Sequence, residues 1–429
     1  MNLAQIKAKI GSLFRSSLAV DTLWMLLSKL FNVVMQALYF IIVARILGAN
    51  DYGSFIGVTA LASIIFPFLS LGSEHILVKY VSVDRAVFGT YWGNSLVLLT
   101  ANSTVLTIAL LMLSPLIFDS NIGLGTIFLI LVADLFCLGI LDLGGKALMA
   151  VKMVKKTAQL GILSTCSKLL AALSLAAFFD APDISIWAAL YLISSLVITV
   201  VIFLLITKSI AYPKAKFPVL KSRIGEGIYF SISGSAQNIN TNLDKTMLTS
   251  LSSATATGIY GSAYRFIDVG NVVLLALFGA TYTRFFEHGA SGIKGALAFA
   301  KKLLPLLITY AVLSVTGFFV FAPVIPILLG SEFAEAIAAL RWLAPLPAIA
   351  AFQFLAADTL TGSGHQKARS IVQVSSAVLN VLLNIWLIPL YSWKGAAIAT
   401  LISDSLRLIC LWAIVFILYR RTSSPKTNY

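Results

Sequence analysis

Apolar runs of about 20 or more residues, each long enough to cross a hydrocarbon core as a helix, recur from Leu23 to Tyr419. Inside a bilayer the backbone must satisfy its own hydrogen bonds, so such runs fold either as packed helices or as a closed barrel. A barrel is written in short segments of alternating polarity, and unbroken apolarity over twenty residues argues against it. The expectation is an all-α integral membrane protein of twelve spans, at 22–47, 54–77, 92–118, 124–148, 158–179, 186–207, 226–250, 258–283, 303–329, 335–360, 370–390 and 396–419. Charged residues make up 11% of the chain and the mean hydropathy is +0.94, against roughly 25% charged in a soluble domain.

A formal net charge of +14 suggests nucleic acid until its placement is read. Segments 1–17, 78–91, 149–157, 208–225, 284–302, 361–369 and 420–429 hold 22 of the 31 Lys and Arg. The alternate connections hold one, Lys394, and carry Asp51, Asp119, Asp180, Asp183, Glu332 and Glu335. The positive-inside rule then puts both termini in the cytoplasm, where the basic segments also suit anionic lipid heads. Residues 1–17 place Ile6, Ile10, Leu13 and Phe14 at helical spacing, as an amphipathic cytoplasmic segment would. They do not read as a signal peptide, since the apolar run that follows is too long. Cys137, Cys166 and Cys410 form no disulfide framework, and His75, His288 and His365 stand in no metal-ligand cluster, so neither a metal nor an enzyme is expected.

The most polar internal connection, Lys208 to Gly227, divides the spans six and six. Two lobes follow: 18–207 and 226–419, joined by a cytoplasmic linker 208–225 and followed by a tail 420–429. An internal repeat supports them, because Tyr52-Gly53-Ser54 and Tyr260-Gly261-Ser262 recur at an offset of 208. At that offset Lys29, Asn32 and Gln36 fall on Gln237, Asn240 and Asp244. Repeats of this kind place a substrate site between lobes. The non-cytoplasmic connections are about ten residues or fewer and leave no room for an external catalytic domain.

Eight basic residues lie inside spans: Lys29, Arg45, Lys146, Lys168, Lys245, Arg265, Arg341 and Arg407. Each costs about 2.5–3.5 kcal/mol at the centre of a membrane helix, so each is expected to face a cavity or a partner. The acids inside spans are Asp134, Asp142, Asp244, Asp268, Asp358 and Asp404, with Glu74 near an end. Asp142 with Lys146, Arg265 with Asp268, and Asp404 with Arg407 are three or four apart and can neutralise one another on their own helix. Lys29, Lys168 and Arg341 have no such local acid. They either contact an anionic substrate or pair across helices. Lys29, Asn32 and Gln36 make a polar stripe on the first span, and Asn238, Thr241 or Asn242, and Lys245 make one on the seventh. Such stripes serve interhelical hydrogen bonding or line a hydrated path between lobes.

Three stretches resemble a known family. VARILGANDYGSF, Val43 to Phe55, is similar to the arginine, leucine-glycine and tyrosine-glycine signature of the Wzx-type polysaccharide transporters, flippases for lipid-linked oligosaccharides. LDKTMLTSLSSATATGIYGSAYRF, Leu243 to Phe266, resembles that family's passage from helix seven into helix eight. LNVLLNIWLIPLYSWKGAAIAT carries its Asn380, Asn384, Pro389 and Gly395. The signature residues are thus Arg45, Gly48, Tyr52, Gly53, Asn380, Asn384, Pro389 and Gly395.

The resemblance implies two six-helix lobes in a V, of the MOP superfamily that also holds multidrug antiporters and lipid II flippases. It implies translocation of an undecaprenyl-pyrophosphate-linked oligosaccharide, for O-antigen (lipopolysaccharide), capsule or exopolysaccharide, from the cytoplasmic to the outer leaflet of the bacterial inner membrane. The candidate cavity residues are Lys29, Asn32, Gln36, Lys168, Asn238, Asn242, Lys245, Arg265, Arg341 and Arg407. Arg265 is carried over from a basic position that lipid II flippases use for the diphosphate. Those flippases also carry an Arg-Asp pair where Tyr39 and Phe40 stand here, which argues against lipid II. Asp134, Asp244, Asp268, Asp358 and Asp404 are candidates for proton or sodium coupling, with no cofactor expected.

A monomer is expected, with membrane lipids, a polysaccharide polymerase and a chain-length regulator as partners and no nucleic acid. Arg45 sits near the outer end of its span, against the charge rule. It either caps that helix terminus or lines the mouth where pyrophosphate leaves. The alternatives are a cation or drug antiporter, which needs a carboxylate-dominated cavity, and a membrane glycan polymerase, which needs acids on long external loops.

Overall fold

The computed structural model describes the backbone of residues 17–118 and 122–423. Side chains are described from residue 31, apart from 119–121, 217–227, 229–230, 233–234, 236–237 and 423–429. Almost all of the amphipathic segment 1–17, most of the tail 420–429 and the side chain of Lys29 lie outside the described residues.

The described chain is nearly all helix, with no strand. The order is α1 (Ser17–Ile65), a single turn Phe66–Phe68, α2 (Ser73–Val81), α3 (Phe88–Ile117), and α4 (Leu124–Leu131). A π turn (Val132–Cys137) carries α4 into α5 (Leu138–Ala150), followed by α6 (Val154–Phe178), α7 (Ile184–Ser209) and α8 (Phe217–Leu251). Then come α9 (Ala254–Gly289), α10 (Ile293–Phe321), α11 (Val324–Leu329), α12 (Ala336–Leu343), α13 (Leu346–Gly362), α14 (Gln366–Tyr391) and α15 (Trp393–Ser423). Ten stretches among the described residues are long and apolar enough to cross a membrane, so the protein is a multi-pass membrane protein. The first of them, Phe31–Phe68, contains the break at Gly48, and α8, rich in Ser, Asn and Thr, is not among the ten.

Breaks fall where backbone chemistry puts them. The run Gly48 to Gly53 reads as a loop between spans, yet only Gly48 leaves the helix, at φ 70° and ψ 178°. The helix restarts at once because the Glu332 carboxylate accepts from the Ala49 N–H at 2.9 Å, a side-chain cap with the charge the helix start favours. The span expected over 54–77 is interrupted by Pro67 in the turn Phe66–Phe68 and by positive φ at Leu71 and Gly72. The span expected over 335–360 is divided between α12 and α13, where Pro345 and Pro347 bracket the new helix start and Pro347 stands in its first turn.

The chain divides into two compact units. Unit 1 is Met1–Leu47 with Val58–Asn238, and unit 2 is Gly48–Gly57 with Ile239–Tyr429. The core of unit 1 includes the fully buried Trp92, Leu99, Ile130, Leu131 and Trp187. Residues 210–216, within the expected linker, are tied onto α3: the Lys214 N–H donates to the Gly89 carbonyl at 2.8 Å and the Lys216 N–H to Asn94 Oδ1 at 2.7 Å. The core of unit 2 joins Leu274, Phe278 and Phe285 of α9 to Leu297, Ala300 and Leu307 of α10, Leu355 and Leu360 of α13, and Leu411 and Val415 of α15. Outside the cores Val105, Met112, Leu116, Leu170, Val320 and Ile327 are exposed, as a lipid-facing surface requires.

At the start of α7, Asp183 accepts from the Ile186 N–H at 3.0 Å and from the Ser185 hydroxyl. These bonds hold its carboxyl below the ordinary value of 3.8. A depressed folded-state value means that the stabilisation is present above the unfolded value and is lost as pH falls through the folded one. Asp183→Ala is expected to lower the unfolding free energy by roughly 1 kcal/mol at pH 7. Melting in detergent checks it: the gap between wild type and variant should close below about pH 4, and a gap that persists there assigns the effect to something other than the carboxylate.

Candidate functional site

In unit 1 a carboxylate, a phenol and an ammonium meet across three helices. Asp134 lies buried in the π turn, a local unwinding that recurs at functional sites. Tyr191 of α7 donates its hydroxyl to Asp134 Oδ1 at 2.6 Å. Lys168 of α6 donates to the same Tyr191 oxygen at 3.4 Å, with its ammonium 4.9 Å from the ring centroid. Lys168 therefore has an acid partner after all, reached through Tyr191 from another helix. The aromatic row continues through Trp187 to Tyr39, at centroid distances of 5.8 and 5.7 Å.

Unit 2 repeats this chemistry with other residues. Buried Asp244 of α8 accepts the Tyr260 hydroxyl at 2.6 Å and the Lys245 backbone N–H at 2.8 Å. Lys245 turns its ammonium to the Thr241 carbonyl at 2.9 Å and Asn242 Oδ1 at 3.1 Å, and lies 4.4 Å from the centroid of Tyr264. Tyr264 is within electrostatic reach of Asp244, Asp268, Asp404 and Arg407. Arg407 pairs with Asp404 at 3.2 Å and donates to Gln353, whose amide donates to the Asp404 carbonyl at 2.6 Å. Arg265, exposed on α9, lies within electrostatic reach of the Tyr52 phenol. Lys245 and Arg407 thus lie with Asp244, Asp268 and Asp404 around Tyr264, and Arg265 stands three residues before Asp268 on α9. Three cations balance three acids.

Other expected site residues lie elsewhere. Asn238 belongs to unit 1, where its amide donates to the Ser63 carbonyl at 2.6 Å. Asn32 packs beside Gly161 of α6. Gln36, Arg45 and Arg341 are exposed, Arg45 in the turn before Gly48 and Arg341 in the last turn of α12. Asp358 pairs with Arg369 at 3.4 Å, and Arg369 also donates to Thr361 at 2.8 Å, so this acid serves the α13–α14 hairpin. Asn384 donates to Asn380 at 2.9 Å and Asn380 to Ser403 at 3.0 Å, a polar ladder between α14 and α15. Pro389 lies in the last turns of α14, and at Gly395 a Cβ would lie 2.2 Å from the Leu387 carbonyl oxygen.

Tyr191, Tyr260, Tyr264 and Gln353 were missed as site residues. Their signal was present, because a phenol in an apolar span needs a hydrogen-bond partner, but periodicity does not say which acid supplies it. Among the described residues no cluster of His, Cys, Asp and Glu is arranged to hold a metal.

Residues 18–288 match the family described as Polysaccharide biosynthesis protein. The chain is 26% identical over 434 residues to the "Uncharacterized membrane protein MJ1375" of Methanocaldococcus jannaschii, covering 93% of this chain and 98% of that one. Among solved structures it resembles an inward-facing multidrug resistance MATE family transporter of the MOP superfamily, at TM-score 0.72 and 16% identity, over 92% of this chain and 96% of that one. A MOP superfamily transporter from Pyrococcus furiosus Vc1, for which reverse polarity of the binding pocket is said to suggest a different function, matches at TM-score 0.60 and 16% identity, over 93% and 96%. The fold is that of these solved transporters.

Proposed function

Since the chain belongs to the polysaccharide biosynthesis protein family, we propose that it is a flippase for undecaprenyl-pyrophosphate-linked oligosaccharides. It moves them from the cytoplasmic to the outer leaflet of the bacterial inner membrane by alternating access. The product serves O-antigen, capsule or exopolysaccharide synthesis, with a polymerase and a chain-length regulator as downstream partners. The observation that carries this reading is the unit 2 cluster, where Lys245 and Arg265 bring cationic donors suited to a pyrophosphate. Lys168 offers a further cation in unit 1.

The parity of charge in that cluster supports a coupling to protons. With all three carboxylates ionised the cations are already matched, and a dianionic head group gains little. One proton on Asp244 leaves a surplus positive charge, so proton and lipid-linked anion bind together. The cycle then runs on a proton gradient without a cofactor.

The test is leaflet-resolved flipping in proteoliposomes with a short undecaprenyl-pyrophosphate glycan. Lys245→Ala and Arg265→Ala are expected to slow flipping by about 10- to 100-fold, the equivalent of one charge-assisted hydrogen bond, and Lys29→Ala is measured beside them. The multidrug MATE likeness favours a second reading, a cation antiporter. If wild type leaves glycan lipids in place and exports a cationic drug instead, that reading replaces the first.

A further inference from the structure

Arg407 stands at the middle of its membrane span, fourteen residues after Trp393 and fifteen before Thr422. A cation at the centre of a membrane helix is costly, and the Asp404 carboxylate three residues back on α15, 3.2 Å from Nη2, offsets that cost. For neutralisation the acid alone would suffice. A second group is built in: Gln353 of α13, 5% exposed, accepts from the same Nη2 nitrogen through its Oε1.

The amide is held in turn, because its Nε2 donates to the Asp404 backbone carbonyl at 2.6 Å. One residue earlier on α13, the Phe352 carbonyl takes the Trp412 indole N–H at 3.2 Å. α13 is thus fastened to α15 at residues 404 and 412, on either side of Arg407. A neutral amide orients a guanidinium without cancelling its charge. Both contacts fall on Nη2, and among the described residues Nε and Nη1 make no hydrogen bond. They carry three of the five N–H groups, donors of the kind that a phosphate or carboxylate oxygen accepts.

We propose that Gln353 is a positioning residue for Arg407: it holds the guanidinium by Nη2 and so presents Nη1 and Nε to an oxyanion of the substrate, a phosphate or the carboxylate of an acidic sugar. This rests on the flippase reading. It adds to that reading a contact at the depth where transporters of repeated lobes bind their substrates, and a buried amide that helical periodicity does not reveal.

The experiment is a double-mutant cycle on the full-length protein in detergent, read by isothermal titration calorimetry. Farnesyl pyrophosphate and octyl glucuronide are the two probes, since either source supplies an oxyanion. Gln353→Met keeps the length of the side chain and removes the acceptor. It is expected to weaken binding of at least one probe by about 5- to 20-fold, the equivalent of one hydrogen bond. In an Arg407→Ala background the same change is expected to have no further effect. If Gln353→Met folds poorly, Gln353→Glu replaces it: an acceptor for Nη2 remains but its charge cancels that of Arg407, and a loss at least as large is expected.

A loss confined to farnesyl pyrophosphate assigns the oxyanion to the phosphate, one confined to the glucuronide assigns it to the sugar, and either supports the proposal. Binding lost in Arg407→Ala but unchanged in Gln353→Met overturns the positioning role. Equal losses from Gln353→Met in both backgrounds also overturn it, because they mark helix packing alone. Binding of both probes that is identical in wild type and Arg407→Ala removes Arg407 from the site and this inference with it. Lys245→Ala, measured alongside, separates that failure from failure of the flippase reading: a loss there keeps the reading, whereas glycan lipids left in place by wild type end both.

Discussion

Gly53→Ala is expected to leave little folded protein in the membrane. The added Cβ would lie 1.7 Å from the Ala254 carbonyl oxygen and 2.6 Å from the Gly258 nitrogen, and neither atom belongs to a side chain that can swing away. Relief requires the 48–57 segment to lift off the first turns of α9. Lifting it would also disturb the Glu332 cap on Ala49 and the edge-on contact of Tyr52 with Phe333. Overpacking a well-fitted site costs about 1–3 kcal/mol and occasionally more. Here the clash meets backbone and several contacts fail with it, so the upper end of that range or beyond is expected. Size-exclusion yield of a fluorescent fusion in detergent reads the outcome. Gly125→Ala is the control, since a Cβ there meets nothing within 4 Å. Equal yields for the two variants would show that the helices do not touch as described.

The second large effect concerns Asp244. Asp244→Ala strands the Tyr260 hydroxyl and the Lys245 backbone N–H and leaves the buried Lys245 ammonium without its neighbouring countercharge. Each buried donor left unpaired costs about 1–3 kcal/mol, and the coulombic attraction between Asp244 and Lys245 is lost with them. Asp244→Asn keeps an acceptor for both donors but not the charge, so it should fall between wild type and alanine. Adding Lys245→Gln to Asp244→Asn removes the uncompensated ammonium and should return most of the stability. Flipping should be lost in all three variants, because none retains both the carboxylate and the cation. Melting temperature and flipping rate, measured side by side, separate the two effects. A single Asp244→Asn variant that melts with wild type would mean that the Lys245 charge is balanced by something other than Asp244.

The helical, multi-pass class was legible because hydropathy over twenty residues is a property of the chain itself. Polar stripes were legible for the same reason: Asn242 and Lys245 recur on one helix face and do interact there, and Asp404 with Arg407 three residues on forms the expected pair. Partners from other helices were not legible. Asp134 meets Tyr191 across 57 positions and Glu332 meets Ala49 across 283, and no periodicity ties such distant residues together. The break in α1 shows the limit from the other side. Gly48, Asn50, Asp51 and Gly53 have the composition of a loop, but the cap from Glu332 and the need for small residues against α9 explain the same letters within a helix. Turn residues and close-packing residues are drawn from the same small set.

The 48–57 segment also sets a schedule for synthesis. Ala49 leaves the ribosome 283 residues before the carboxylate that caps it, an interval of about 15–60 s at ~5–20 residues per second. Throughout that time the first apolar helices are already in the bilayer, carrying a broken helix whose exposed amide and bare glycine surface have nothing to dock on. Unit 2 cannot close around its oldest piece until about half of its later stretch, as far as Glu332, is made. The two units therefore do not mature one after the other, as their order along the chain would suggest. A nascent chain stalled anywhere between Ala254 and Glu332 should hold residues 48–57 by backbone contact and the Thr246 hydroxyl, with the cap still to come.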